Sequence, residues 1–117
     1  MVAFFVSGRT GSNIHRDADR GCVSRINLPV MNCENTETRY YTTDYPEQKK
    51  LQDNGVYYHY IDPKTCTHVD SFFLNCPAII KVNEPHRVVG TPDGMVPRIS
   101  CTIGFREEII HLIDEQL

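Results

Sequence analysis

No stretch of this 117-residue chain approaches the roughly 20 consecutive apolar residues of a membrane-spanning helix, which argues against an integral membrane protein. The opening Met1–Val6 has no basic residues ahead of it and is too short for the apolar core of a signal peptide, which argues against secretion. The five cysteines (Cys22, Cys33, Cys66, Cys76 and Cys101) include no Cys-x-x-Cys pair. Their odd number fits neither a structural zinc site nor a closed disulfide framework. Free thiols packed as small hydrophobes in a reducing, intracellular (cytoplasmic) compartment are the expectation. Positive charge is also scarce: 12 Lys and Arg face 15 Asp and Glu, for a net charge of −3. That balance gives no footprint for nucleic-acid phosphate or an anionic membrane. Repeats and low-complexity segments are absent. With 40% hydrophobic and 23% charged residues, the composition is globular, and residues 1–117 are expected to form a single domain.

What the chain does contain is a series of short runs rich in β-branched and aromatic residues, divided by turn signals, as in a sandwich or barrel. They cover Val2 to Ser7, Cys22 to Met31, Thr36 to Thr43, Val56 to Ile61, Thr67 to Leu74, Ala78 to Val82, Arg87 to Val89 and Arg98 to Phe105. Gly8 to Asn13 and Thr91 to Gly94 read as loop and turn. Thr42 to Asn54 is polar and reads as a long loop, of the kind that is often functional. The tail from Arg106 carries Ile109, Ile113 and Leu117 at helical spacing, which predicts a C-terminal helix over about 107–117.

Three segments carry residues suited to chemistry: His15-Arg16-Asp17, Pro85-His86-Arg87 and Pro97-Arg98-Ile99-Ser100. In an extended segment His15 and Asp17, two apart, project to one face. Alone, that pair reads equally as part of a salt-bridged loop with Arg16, Asp19 and Arg20. His86 adds a second imidazole, and two histidines with one carboxylate form the facial triad of non-haem Fe(II) oxygenases. Twelve residues further on, alternation puts Arg98, Ser100 and Thr102 on one face of a strand and Ile99, Cys101, Ile103 and Phe105 on the other. If the polar set points inward, the guanidinium requires an anion. If it faces water, the apolar set forms the core. On the strand from Cys22, Arg25 and Asn27 share a face and read either as pocket lining or as solvent-facing. Tyr40 and Tyr41 read as a pocket wall or as cross-strand packing, and the aromatic run Tyr57 to Tyr60 reads as strand packing.

The combination His15-x-Asp17, His86 and Arg98-x-Ser100 resembles the Fe(II)/2-oxoglutarate-dependent oxygenases. Cys22 to Pro29 followed by Asn32 to Thr36 is similar to small members of that superfamily, as are Asp70-Ser71-Phe72, Pro77-Ala78 and Asn83 to Val88. The resemblance runs from about Ser7 to Phe105. It implies an all-β double-stranded β-helix, a jelly-roll or cupin-like fold, with the metal at one open end. His15, Asp17 and His86 would ligate Fe(II), Arg98 would pair with the distal carboxylate of 2-oxoglutarate, and Ser100 would bond the same group. The implied activity is that of a dioxygenase: O2 and 2-oxoglutarate are consumed, succinate and CO2 are released, and a small molecule or protein side chain is hydroxylated.

Members of the superfamily have further elements ahead of the His-x-Asp segment, where this sequence has fourteen residues. The expectation is a minimal version, a fragment, or a chain covered by a second copy in a homodimer, with the long loop over Thr42 to Asn54 as a rim above the metal. A jelly-roll binding or assembly module that has lost turnover is the alternative. A zinc hydrolase built on the same triad lacks a general base and leaves Arg98 unexplained.

Overall fold

The computed structural model describes residues 2–7, 12–17, 22–34, 36–90 and 97–109. Nine strands occupy most of them: β1 (Val2–Ser7), β2 (Ser24–Met31), β3 (Glu37–Thr42), β4 (Gln48–Leu51), β5 (Tyr57–Tyr60), β6 (Thr67–Phe73), β7 (Ala78–Lys81), β8 (His86–Val89) and β9 (Arg98–Phe105). Every pairing is antiparallel. The protein is therefore all-β in its described residues, with one 3-10 turn at Pro63–Thr65, where the Asp62 carboxylate accepts from the Lys64 N–H.

The strands form a four-stranded sheet in the order β1-β9-β2-β7, a three-stranded sheet in the order β6-β3-β8, and the hairpin β4-β5. In the larger sheet β9 is central, and its register sets Thr102 opposite Asn27 and Ser100 opposite Pro29. Pro29 lies beyond Asn27↔Ala78, the last pair that β2 makes with β7, so its missing N–H falls where the ladder on that side has ended. In the smaller sheet Tyr40 of β3 pairs with His86 of β8 on one side and Asp70 of β6 on the other. The segment 12–15 extends this sheet by running along β8. His15 and His86 exchange N–H···O bonds of 3.0 Å in both directions, and Ser12 N–H reaches the Val88 carbonyl at 2.9 Å.

Phe72 of β6 packs against Cys22, Ile80 and Val82 of the β2–β7 side, which fixes the faces that the two sheets turn toward each other. The remainder of that interior is polar. On β9 the more deeply buried face is Arg98 (6% exposed), Ser100 (3%) and Thr102 (1%), while Ile99, Cys101 and Ile103 are half-buried. Arg25, Thr36, Thr38 and His86 are buried with them. A second apolar cluster, Ile14, Tyr41 and Ile61 with Cys66 against it, fills the other side of the smaller sheet.

Two expectations about elements are corrected. The polar stretch over Thr42 to Asn54 is not all loop: β4 forms a hairpin with β5, through a turn where Gly55 adopts φ +81°. Its side chains are all exposed, so no apolar alternation marked it. The helix expected over 107–117 is not seen. Glu107 to Ile109 is non-helical, its Glu107 carbonyl accepting from Ser24 Oγ at 2.6 Å and its Ile109 buried. Residues 110–117 lie outside the described residues, as do residues 8–11 of the first loop and the turn at 91–96. The remaining strand readings agree to within one or two residues, and Arg98 to Phe105 coincides with β9.

Ile61 is almost fully enclosed, so Ile61→Ala should lower unfolding free energy by about 2–4 kcal/mol. Val69→Ala, on the exposed outer strand β6, should change it by less than about 0.5 kcal/mol. Urea unfolding midpoints measure both.

Candidate metal centre

Side-chain alternation along 14–17 sorts the residues to opposite faces. Ile14 enters the apolar cluster behind the smaller sheet, whereas His15 and Asp17 turn to the other side. The backbone there is pinned at both ends. His15 is bridged to β8, and the Asp17 N–H donates to the Val82 carbonyl at 2.7 Å, at the end of β7. The same bridge delivers His86, the first residue of β8. The resulting meeting point has His15 Nε2 at 3.1 Å and His86 Nε2 at 3.7 Å from Asp17 Oδ1, and the two rings lie 4.7 Å apart between centroids.

The hydrogen bonds on the far side of each ring decide what faces inward. His15 Nδ1 lies 2.6 Å from the Asn13 carbonyl and His86 Nδ1 lies 2.7 Å from the Glu84 carbonyl. A carbonyl only accepts, so each Nδ1 carries the proton and donates it. In the neutral rings both Nε2 lone pairs then point at a carboxylate oxygen. Three acceptor atoms within 4.8 Å of one another repel unless a cation or a proton lies between them. Two imidazoles and a carboxylate suit Fe(II), and an outer N–H held by a backbone carbonyl is the usual support of a metal-bound histidine. The donor set therefore fits the metal.

Without metal, protons meet this demand unequally. Burial depresses His15, but the adjacent Asp17 carboxylate outweighs it and raises the imidazole above its ordinary 6.5. Burial likewise opposes ionisation of Asp17, yet the bond to His15 and the charges of His86 and Arg25 hold the carboxyl below its ordinary 3.8. His86 is pushed below 6.5 by burial and by the charge on His15. Without metal, a proton is therefore favoured on His15, beside the Asp17 carboxylate, over His86.

Around this point the interior is lined from both sheets. Arg25 of β2, 5% exposed, sets its Nε 3.1 Å from Asp17 Oδ2. Tyr40 of β3 stands over His86 at 5.9 Å and over Phe72 at 6.3 Å between ring centroids, and burial pushes its phenol up to about 12. Thr102 Oγ1 donates to Asn27 Oδ1 at 2.8 Å. Arg98 points inward: its Nε donates to Thr36 Oγ1 at 2.7 Å, and that hydroxyl donates in turn to the Cys33 carbonyl at 2.8 Å. Asn32, in the left-handed region at φ 56°, anchors the start of β9 by donating from Nδ2 to the Pro97 carbonyl at 2.7 Å. Among the described residues no carboxylate pairs with Arg98, whose guanidinium acidity burial increases. Ser100 is buried one pleat along β9 on the same face.

The structure thus brings His15, Asp17 and His86 to one point and turns Arg98 and Ser100 into the same interior. Of the two open readings of β9, the inward polar face is the observed one. Arg25 and Asn27 also face inward, and their contacts to Asp17 and Thr102 were not evident from the sequence. The signal available was the alternation of Arg25 and Asn27 in β2 matched to Ser100 and Thr102 in β9. Tyr41 lies on the opposite face, where its hydroxyl accepts from Arg87 Nε at 2.8 Å. Within the 42–54 stretch, Glu47 accepts the Arg16 N–H at 2.6 Å and pairs with His59 Nδ1 at 2.9 Å. All five cysteines are free, and no helix in the described residues is long and apolar enough to cross a membrane. No family model, curated protein or solved structure matches the chain.

The pKa directions give a pH dependence with a definite sign. His15 stabilises the metal-free fold fully below about pH 6.5, and that contribution is lost as pH rises through its raised pKa. Asp17 stabilises above about pH 3.8, and that is lost as pH falls through its lowered pKa; His86 opposes folding as pH falls below 6.5, where the unfolded chain takes up a proton that the folded chain refuses. Divalent metal must displace the His15 proton. Titrating Mn(II) or Co(II) near pH 6.5 should release protons, and affinity should fall on acidification. Calorimetry in buffers of different ionisation enthalpy reads the release, which should be smaller in His15→Ala.

Proposed function

We propose that the chain is an Fe(II)- and 2-oxoglutarate-dependent oxygenase that hydroxylates a small molecule or a protein side chain, releasing succinate and CO2. One observation carries the reading: three metal-donor atoms converge on one point of an interior that also holds a buried guanidinium with no carboxylate partner among the described residues. A general metal site accounts for the first half. A co-substrate with one chelating end and one distal carboxylate accounts for both.

The topology supports the corresponding fold. With the β4-β5 hairpin set aside, eight extended segments follow in chain order: β1, 12–15, β2, β3, β6, β7, β8 and β9. One layer takes the first, eighth, third and sixth of these, and the other takes the second, seventh, fourth and fifth. That alternation is what the winding of a double-stranded β-helix, or jelly roll, would give. The spacing supports the ligand. Tyr40 stands beside His86 and Thr36 beside Arg98, four residues apart, or about 13 Å of extended chain at ~3.3 Å per residue. With Arg98 and His86 leaning toward each other across that span, a five-carbon dicarboxylate would bridge what remains.

Bound Fe(II) would supply the means of activating dioxygen, and the protein supplies the geometry. His15, Asp17 and His86 are the residues that would hold the ion, and the keto-acid end and oxygen would bind where these three do not. Arg98 takes the distal carboxylate bidentately, with Ser100 as a further donor. Tyr40 and Phe72 wall the site with apolar surface and exclude water.

Anaerobic addition of Fe(II) and 2-oxoglutarate should produce the weak visible charge-transfer band of the chelate. Asp17→Ala and His86→Ala should abolish it. Arg98→Ala should preserve metal binding and weaken 2-oxoglutarate by at least about tenfold, the cost of losing a charge-assisted bidentate pair; an unchanged affinity would refute the assignment of Arg98. Succinate release in air separates turnover from a binding module, which produces none.

A further inference from the structure

We infer that Arg25 is the positioning residue that confines Asp17 to the metal through a single oxygen, so that the face opposite the three ligands stays open. The inference rests on the metal reading above and goes beyond it by assigning the open coordination to a residue that is not a ligand.

The two oxygens of Asp17 are divided between partners. Oδ1 faces both imidazole Nε2 atoms, at 3.1 and 3.7 Å, whereas Oδ2 faces Arg25 Nε at 3.1 Å. While that guanidinium contact holds, Arg25 competes with the ion for Oδ2 and favours ligation through Oδ1 alone. The distinction decides what else can bind. In an octahedral ion, two imidazoles and a one-oxygen carboxylate leave three positions, enough for a bidentate keto acid and one further ligand. A two-oxygen carboxylate leaves two, which the keto acid alone would fill.

The surroundings of Arg25 suit this task. It is a central residue of the larger sheet, with Gly104 opposite it on β9 and Ile80 opposite it on β7. Its Nε reaches Asp17, whose N–H is tied to the Val82 carbonyl at the end of β7, the strand beside β2. Burying the arginine is costly, and a buried ion pair adds little to fold stability compared with apolar packing in the same space. Its charge also acts on the ligands. A divalent ion with one carboxylate carries net +1, and Arg25 adds a further positive charge beside the point where an anionic keto acid would bind.

The test uses the full chain with Co(II), whose visible spectrum reports coordination number, followed by titration with 2-oxoglutarate. Three variants are compared: Arg25→Met removes the charge at similar length, Arg25→Gln removes it with a smaller polar group, and Arg25→Lys retains it. In Arg25→Met, Co(II) should still bind but with a spectrum shifted from that of the unaltered protein. The apparent affinity for 2-oxoglutarate should fall by about tenfold or more. Arg25→Lys should recover part of both. If Arg25→Met does not fold, Arg25→Gln carries the same expectations. Spectra and 2-oxoglutarate titrations identical to the unaltered protein, with only a lowered melting temperature, would make the pair a structural ion pair and overturn the inference. Failure of the unaltered protein to bind Co(II) would instead overturn the metal reading itself.

Discussion

The reciprocal backbone bridge between His15 and His86 is the contact on which the candidate site depends. The two residues are 71 positions apart in sequence, and two N–H···O bonds of 3.0 Å place their rings side by side. Because β8 is also paired to β3, the bridge fixes His86 beneath Tyr40. Because Asp17 is tied to the Val82 carbonyl, the same short segment spans from the smaller sheet to the end of β7. The acceptor cluster thus follows from backbone hydrogen bonding, and the electrostatic cost of three converging acceptors is imposed by the ladder.

That cost is set within an interior that departs from an ordinary β-sandwich. Apolar packing is divided between the Cys22–Ile80–Val82 end and the Ile14–Tyr41–Ile61 cluster on the reverse of the smaller sheet. Between them lie two buried arginines, a buried histidine and a row of hydroxyls. Each buried polar group must find a partner or destabilise the fold. Thr36, Asn27, Asp17 and two backbone carbonyls satisfy many of these groups, and Arg98 retains a charge that no carboxylate in the described residues meets. An interior of this kind leaves buried charge that its own packing does not neutralise.

Much of this was legible in the sequence because strands advertise themselves by alternation. β9 was readable residue by residue, since apolar and polar positions alternate along its whole length, although which face was inward was left open. His15 and Asp17, two apart in extended chain, share a face, but the pair alone reads equally as a salt-bridged loop, and the resemblance is what joined His86 to it. β4 was not readable: Gln48, Lys49, Lys50 and Leu51 are exposed on both faces and leave no pattern. The helical spacing of the tail was real as a pattern, but over Glu107 to Ile109 the bond from Ser24 and the burial of Ile109 hold a non-helical path. The partners of the histidine Nδ1 atoms were invisible because they are main-chain carbonyls, which every residue possesses. Arg25 was visible as a polar residue sharing a face with Asn27, but its contact with Asp17 joins two segments whose meeting sequence periodicity does not encode.

The opposite placement of Ile14 and His15 governs which sequence changes this molecule can absorb. Adjacent residues in extended chain face opposite ways, so inserting or deleting one residue between Ser12 and Asp17 would exchange the two environments. An isoleucine would enter the hydrophilic chamber, and an imidazole would be driven into the oily compartment behind Tyr41 and Ile61. Point replacements at Arg16 leave that parity intact, whereas indels of odd length reverse it. The short stretch before Asp17 is therefore constrained in its residue count more strictly than in its chemistry.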